Sequence, residues 1–165
     1  MSEDLRPDVF RRTCARFATG IAVATTIGTD GLPYGLTVNS FTSVSCSPPI
    51  VLFCIDHGCS YLFQFREAAG FGINFLNSDQ CGLSARFATG PGDRFSGVAW
   101  ETGSLGMPLL EGCLASMECK VTQRLDVGDH AVLFGEVIAA SVRPGEPLLY
   151  FDSQYRSLQP GLAVR

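Results

Sequence analysis

The chain has 165 residues, 46% hydrophobic and only 17% charged, with 12 basic and 16 acidic side chains giving a net charge of −4. That length suits one domain able to bury roughly 70% of the surface its unfolded chain exposes, and the composition excludes a disordered chain, which is poor in apolar residues and rich in charge. No basic excess or stripe offers a footprint for nucleic acid, and the longest apolar run, Ile50 to Ile55, is far short of the ~20 residues that span a membrane. A charged share below the usual ~25% implies apolar surface covered by something outside this chain, such as a second subunit or a flat apolar ligand. The acidic start, Met1-Ser2-Glu3-Asp4, lacks the apolar core of a secretory signal, so a cytoplasmic location is expected.

Pro7 suits the first position of a helix. Val9, Phe10, Thr13, Cys14 and Phe17 then recur at helical spacing as one stripe expected to be buried, with Gly20 as the stop. Ile21 to Thr26 is rich in β-branched residues, Asp30-Gly31 is a hairpin signal, and Pro33 to Val38 is the returning strand. Asn39 to Pro49 is polar and turn-rich and reads as a connection. Ile50 to Ile55 reads as a strand buried on both faces. Ser60 is placed to cap a short helix to about Glu67, and Asn77 or Ser78 to cap another to about Ala88, with the strand Phe71 to Leu76 between them. Thr89 to Arg94 is a loop.

Cys113 to Leu125 alternates at period two, with Cys113, Ala115, Met117, Cys119 and Val121 on one face and Ser116, Glu118, Lys120 and Thr122 on the other. Gly128-Asp129-His130 is a tight connection to a second long strand, Ala131 to Val142, and Leu148 to Phe151 closes the set. About seven or eight strands with three short helices, not in strict alternation, argue against a doubly wound parallel sheet. A mainly β fold, a closed or split antiparallel barrel, removes the exposed edges. One domain over residues 1–158 is expected, with 159–165 a tail.

Familiar catalytic motifs are missing. There is no P-loop, no G-x-S-x-G and no H-E-x-x-H. Gly70-Phe71-Gly72 has Phe75 where a dinucleotide fingerprint needs its third glycine. The seven cysteines form no C-x-x-C, and with two histidines they supply no metal spacing. Cys46, Cys54 and Cys119 are expected as small buried hydrophobes. What remains is Thr37 to Ser45, a stretch of hydroxyls and backbone N–H groups between strands. By itself it is an ordinary Ser/Thr-rich connection, but its chemistry also suits the edge of a flat heterocycle bearing carbonyls, or a phosphate. Ser60, Ser84 and Arg86 at two short helices are a second place for a phosphate.

These pieces come in an order that resembles the short-chain flavin reductases, the small components of two-component flavin-dependent monooxygenases. Phe17-Ala18-Thr19-Gly20-Ile21-Ala22-Val23-Ala24-Thr25, Gly35 to Ser45 followed by Pro48-Pro49, Phe71-Gly72-Ile73-Asn74-Phe75-Leu76, Leu83-Ser84-Ala85-Arg86-Phe87-Ala88, Gly128-Asp129-His130 and Tyr155-Arg156 carry the resemblance across residues 9–158. It implies an antiparallel Greek-key split barrel, a homodimer with flavin near its interface, and hydride transfer from NADH or NADPH to FMN or FAD, which is then released to a partner oxygenase. It implies ring contacts from Thr37, Val38, Asn39, Ser40, Phe41, Thr42 and Ser43, and cofactor contacts from Asn74 and the aromatic Tyr155. The phosphate is expected near Ser60, Ser84, Arg86 and Phe87, and His130 beside the nicotinamide as the catalytic-site residue, with no metal. Gly58-Cys59 departs from the family pattern in the phosphate region. Such chemistry belongs to the cofactor, so no nucleophile is needed; the protein must stack the two rings with the reacting atoms about 3–3.5 Å apart. With no Arg cluster for a 2′-phosphate, NADH is favoured over NADPH. A flavin carrier or store without its own NAD(P)H turnover is the alternative.

Overall fold

The computed structural model describes residues 6–90 and 92–158; the expected tail at 159–165 lies outside them. Pro7 opens helix α1 (Pro7–Cys14), as its fixed φ suits. The expected burial of its stripe does not occur. No residue of α1 is buried, and Phe10 and Phe17 are 56% and 77% exposed. Helical periodicity shows that a face is apolar, not what covers it.

The two-residue β1 (Thr19–Gly20) leads into the hairpin of β2 (Ala22–Ile27) and β3 (Pro33–Val38). Gly31 at φ +77° makes the turn, and the Asp30 carboxylate accepts from the Leu32 N–H at 3.0 Å and the Tyr34 hydroxyl at 2.6 Å. The polar stretch read as a connection contains a strand, β4 (Thr42–Cys46), paired with β5 (Pro49–Asp56). As an edge strand β4 is exposed along most of its length, so it needs no apolar alternation. β5 does alternate: Val51, Phe53 and Ile55 are buried while Ile50, Leu52 and Cys54 are half-buried, so one face, not both, is sealed.

Helix α2 (Leu62–Glu67), β6 (Gly70–Phe75) and helix α3 (Cys81–Thr89) follow. Neither helix has a side-chain cap; α2 starts after Tyr61 and α3 after Gln80, so Ser60, Asn77 and Ser78 do not cap them. A small hairpin that the sequence did not announce, β7 (Trp100–Thr102) with β8 (Pro108–Leu110), precedes the long pair β9 (Ala115–Val127) and β10 (His130–Val142), joined through Gly128 at φ +60°. β11 (Leu149–Phe151) and the short β12 (Gln154–Arg156) end the set.

Seven strands form one antiparallel sheet in the order β3-β2-β6-β9-β10-β5-β4. The sheet curls, because Leu36 and Val38 of β3 share one apolar cluster with Val51, Phe53 and Ile55 of β5, near its other end. β3 and β5 are not hydrogen-bonded to each other, so the barrel is split along that line. Phe53, Phe65 and Phe71 fill its centre at 0% exposure, with Phe53 and Phe71 packed edge-to-face at 4.9 Å. Each contributes about 1.5–3 kcal/mol by burial.

The polar face of β9 is covered in its first half only; Lys120 and Thr122 are exposed. Ser116 and Glu118 are 8% and 2% exposed, because the β7–β8 hairpin lies over them. The Asn74 carbonyl accepts from the Leu110 N–H and the Ser116 hydroxyl, and the Thr25 hydroxyl donates to the Pro108 carbonyl. These bonds fasten the hairpin to the barrel wall.

The cysteines divide by burial. Cys113 and Cys119 are sealed, and burial pushes their thiols up to about 11 and about 12. Cys46 and Cys54, expected to be buried, are exposed and half-buried respectively. At pH 8 a maleimide should therefore leave Cys113 and Cys119 unmodified in the native protein, since too little thiolate forms and no path reaches it. Peptide mass mapping before and after denaturation checks this; labelling of either in the native state would show that the core opens locally.

Candidate functional site

The split opens into a cleft of about 580 Å³. One wall is the C-terminal half of β3 and its continuation, Leu36-Thr37-Val38-Asn39-Ser40; the other is the end of β5 with Gly58, Cys59 and Ser60. Phe87 and Ala88 of α3, Arg94 from the following loop, and His130 at the start of β10 complete it. Gly35 makes this wall possible. A Cβ there would lie 2.6 Å from a Phe87 ring carbon, so only glycine lets the ring pack against β3.

β3 is the sheet edge, so half its backbone groups lack a ladder partner. The Gly35 carbonyl accepts from Arg94 Nη1 at 3.2 Å, so residue 35 turns its polar groups away from β2. At period two, Thr37 does the same and turns its N–H away from β2. The Thr37 hydroxyl donates to the Ser84 carbonyl at 2.7 Å, and the Ser40 hydroxyl accepts from the Cys54 N–H at 2.9 Å, so both side chains are held by the walls.

On the facing side, His130 Nδ1 lies 2.7 Å from Asp129 Oδ1. The hydrogen bond from His130 holds the Asp129 carboxyl below the usual carboxylate range. An ionised carboxylate only accepts, so Nδ1 carries the proton and Nε2 is left for a ligand. The His57 N–H donates to the Asp129 carbonyl at 2.9 Å, and the His57 ring, Asp126 and Arg66 form a cluster that braces this turn.

The structure brings Thr37, Val38, Asn39, Ser40, Ser60, Phe87 and His130 into one cleft. Phe41 and Thr42 line a neighbouring groove with Phe17 and Phe75, and Ser43 lies exposed on β4. Asn74 is a correction. It is fully buried, with its amide donating to Val23 and Thr25 and accepting from Leu110 and Ser116, so it has nothing left for a ligand. Ser84 is buried behind the cleft, where its hydroxyl accepts from Tyr155 Oη at 3.1 Å; these two support Thr37 rather than line the cleft. Arg86 is exposed and does not line the cleft.

The cleft cation is Arg94, in the loop that follows α3. Its Nη1 donates to the Phe87 carbonyl at 2.7 Å and its Nε to the Gly90 carbonyl at 3.1 Å. The only signal was its place after Gly92-Asp93, and nothing local distinguished it from Arg86 on a predicted helix. Asp56, which faces His130 in the β5–β10 ladder, was also missed.

The donor set fits a flavin. Leu36, Val38, Ile55 and Phe87 give an apolar bed for a flat ring, the β3 edge offers donors to its carbonyl and nitrogen rim, and Arg94 offers charge for a phosphate. Among the described residues no group of His, Cys, Asp and Glu is arranged to hold a metal.

The model of the flavin reductase like domain matches residues 14–159. The reductase subunit HsaB of a flavin-dependent monooxygenase from Mycobacterium tuberculosis is 40% identical over 164 residues, 97% of this chain and 87% of that one. The NADH-dependent FMN reductase SmoA of Agrobacterium fabrum is 43% identical over 141 residues, 86% of this chain and 80% of its own. The NADH:FAD oxidoreductase SgcE6 of Streptomyces globisporus, solved with NAD and FAD fragments, superposes with a TM-score of 0.88 at 34% identity, covering 96% of this chain and 98% of that one.

Proposed function

This chain belongs to the flavin reductase like domain family, and from that premise we propose that its cleft is where NADH reduces a flavin for delivery to a separate oxygenase. It is an NADH-dependent flavin reductase, an oxidoreductase of the kind that serves two-component monooxygenases. The observation that carries the assignment to this cleft is the edge of β3 facing His130 across an apolar bed with Arg94 at one end. A bound flavin supplies the hydride-accepting ring. The protein's part is to fix that ring by backbone donors, exclude water with Phe87 and Ile55, and present His130 Nε2 to the nicotinamide carboxamide. Donors held at the ring edge stabilise the negative charge that reduction adds there.

The test is NADH oxidation at 340 nm with FMN, FAD or riboflavin supplied in turn. Flavin-dependent turnover is expected. Protein that binds flavin without oxidising NADH would be a carrier instead.

His130→Ala removes one hydrogen bond to the nicotinamide and nothing from the flavin bed. The KM for NADH should rise about tenfold, with the Kd for FMN little changed. A loss confined to FMN affinity in a titration would move His130 to the flavin.

A homodimer is part of this proposal. Phe10, Phe17, Ile138 and Val142 are 50–84% exposed, a range set by Ile138 at 50% and Val142 at 84%. These apolar side chains, on and just after α1 and on β10, are surface that a second copy of the chain would cover. Sedimentation should give twice the 17.7 kDa of one chain, and a single-chain mass would contradict it. No described helix is long and apolar enough to cross a membrane.

A further inference from the structure

Hydride transfer creates charge as well as moving electrons. The hydride leaves C4 of the dihydronicotinamide with both electrons of its C–H bond and forms an N–H bond at flavin N5. The nicotinamide ring goes from neutral to singly positive, and the flavin gains one negative charge. A site that speeds this step is negative beside the nicotinamide and rich in donors or positive beside the flavin. Only interactions stronger in the transition state than in the bound reactants raise the rate.

The cleft has that polarity. One end carries the β3 edge and the Arg94 guanidinium. The other carries Asp56, the last residue of β5, which lines the cleft with His130. Asp56 stands directly opposite His130 in the β5–β10 ladder, so the two side chains share a face, with Cβ atoms about 4.5–5.5 Å apart. Asp56 Oδ1 accepts from the Gly58 N–H at 2.6 Å, and the Asp56 carbonyl accepts from the Cys59 N–H at 2.9 Å. These bonds fix the carboxylate in the turn that follows β5. Among the described residues Asp56 forms no ion pair: His57 and Arg66 are engaged with Asp126, and His130 Nδ1 with Asp129. Its charge is therefore not cancelled locally, and Asp129 adds a second negative charge behind the His130 ring.

A carboxylate here opposes the binding of NADH, whose pyrophosphate is already negative. What it favours is a cationic ring. We propose, resting on the reductase reading of this cleft, that Asp56 is a catalytic residue whose carboxylate faces the nicotinamide held at His130 and stabilises the positive charge that develops there as hydride leaves. Asp56 lies at the exposed rim, where solvent screens part of its field, so its share of the rate is about tenfold.

The test is anaerobic stopped-flow reduction of FMN by NADH in the unaltered chain, Asp56→Asn and Asp56→Glu. Asparagine still accepts from the Gly58 N–H, so it removes the charge and little else. The limiting rate of flavin reduction should fall about tenfold in Asp56→Asn, with the Kd for NADH no higher and that for FMN within about twofold. Asp56→Glu, which restores the charge, should recover most of the rate. Glu136→Gln, further along β10 and about 20 Å from His130, should leave the rate unchanged. A second readout needs no turnover. In calorimetric titrations with FMN present, Asp56→Asn should weaken NAD⁺, whose ring is cationic, about tenfold more than tetrahydro-NAD, whose ring is neutral and gives up no hydride.

Asp56 has no such role if Asp56→Asn reduces flavin at the native rate, or if it weakens NAD⁺ and the tetrahydro analogue alike. Nor has it if the Kd for FMN rises as steeply as the rate falls, since Asp56 would then only shape the turn. An unaltered chain that oxidises no NADH with any flavin sinks the reductase reading instead, while the comparison of NAD⁺ with its tetrahydro analogue still reads Asp56 by itself.

Discussion

Glu118→Ala should cost about 3–5 kcal/mol of folding stability, because several buried donors lose their acceptor at about 1–3 kcal/mol each. Glu118 is 2% exposed in mid-strand, and its carboxylate accepts four hydrogen bonds from the β7–β8 turn. Oε2 takes the Ser104 N–H at 2.6 Å and the Ser104 hydroxyl at 2.7 Å; Oε1 takes the N–H groups of Leu105 at 2.8 Å and Met107 at 3.3 Å. Gly103 packs so closely on this carboxyl that any Cβ there would collide with it. Alanine leaves these donors unpaired under the hairpin. At about 2–4 °C per kcal/mol for a chain of this size, Tm should fall by roughly 6–20 °C. Glu118→Gln, which keeps the shape and one carbonyl oxygen, should fall between the two. The same hairpin leads from Phe95, which packs edge-to-face on the cleft residue Phe87 at 5.0 Å, so flavin affinity should weaken with it. A loss below 1 kcal/mol in urea titration would mean that the turn finds other partners.

Arg94→Ala should raise the Kd for FMN by about 10- to 100-fold while changing that for riboflavin much less. A hydrogen bond to a charged group is worth about 1.5–3 kcal/mol, and only FMN carries the phosphate. Part of any shared loss comes from the three carbonyls that Arg94 organises. Arg94→Lys separates the two effects, because it keeps the charge and gives up the fork. The ratio of FMN to riboflavin affinity should therefore be partly preserved in Arg94→Lys and lost in Arg94→Ala. Should Arg86→Ala show the FMN-specific loss and Arg94→Ala none, the phosphate belongs at α3.

Much of this protein was legible in its residues. The β2–β3 hairpin, the long β9–β10 pair and the tight turn before His130 follow from local signals, namely Asp30-Gly31, period-two alternation and Gly128. The ordered match to the flavin reductases carried the family, and with it the split barrel and the use of NADH and flavin. Thr37 to Ser40 and His130 did converge on one cleft. The polarity of a stretch, however, does not distinguish a loop from an edge strand, and β4 was missed for that reason. The apolar stripe of α1 was visible, but what covers it was not.

What the sequence by itself determined is therefore local and ordinal: where the chain turns, which faces are apolar, and the succession of motifs that marks the family. Only the tertiary structure decided which polar groups are spent and which are free. Asn74 and Arg86 read as ligand contacts, yet the first is consumed by four hydrogen bonds in the core and the second faces solvent. Glu118 stands in the polar alternation of β9, yet it is buried and anchors the β7–β8 turn 11–14 residues upstream. Arg94 became the cleft cation because the curl of the sheet brings β3 and the loop after α3 to the same opening. Hydrogen-bond partners are set by distance in space, and local sequence carries periodicity but not that distance.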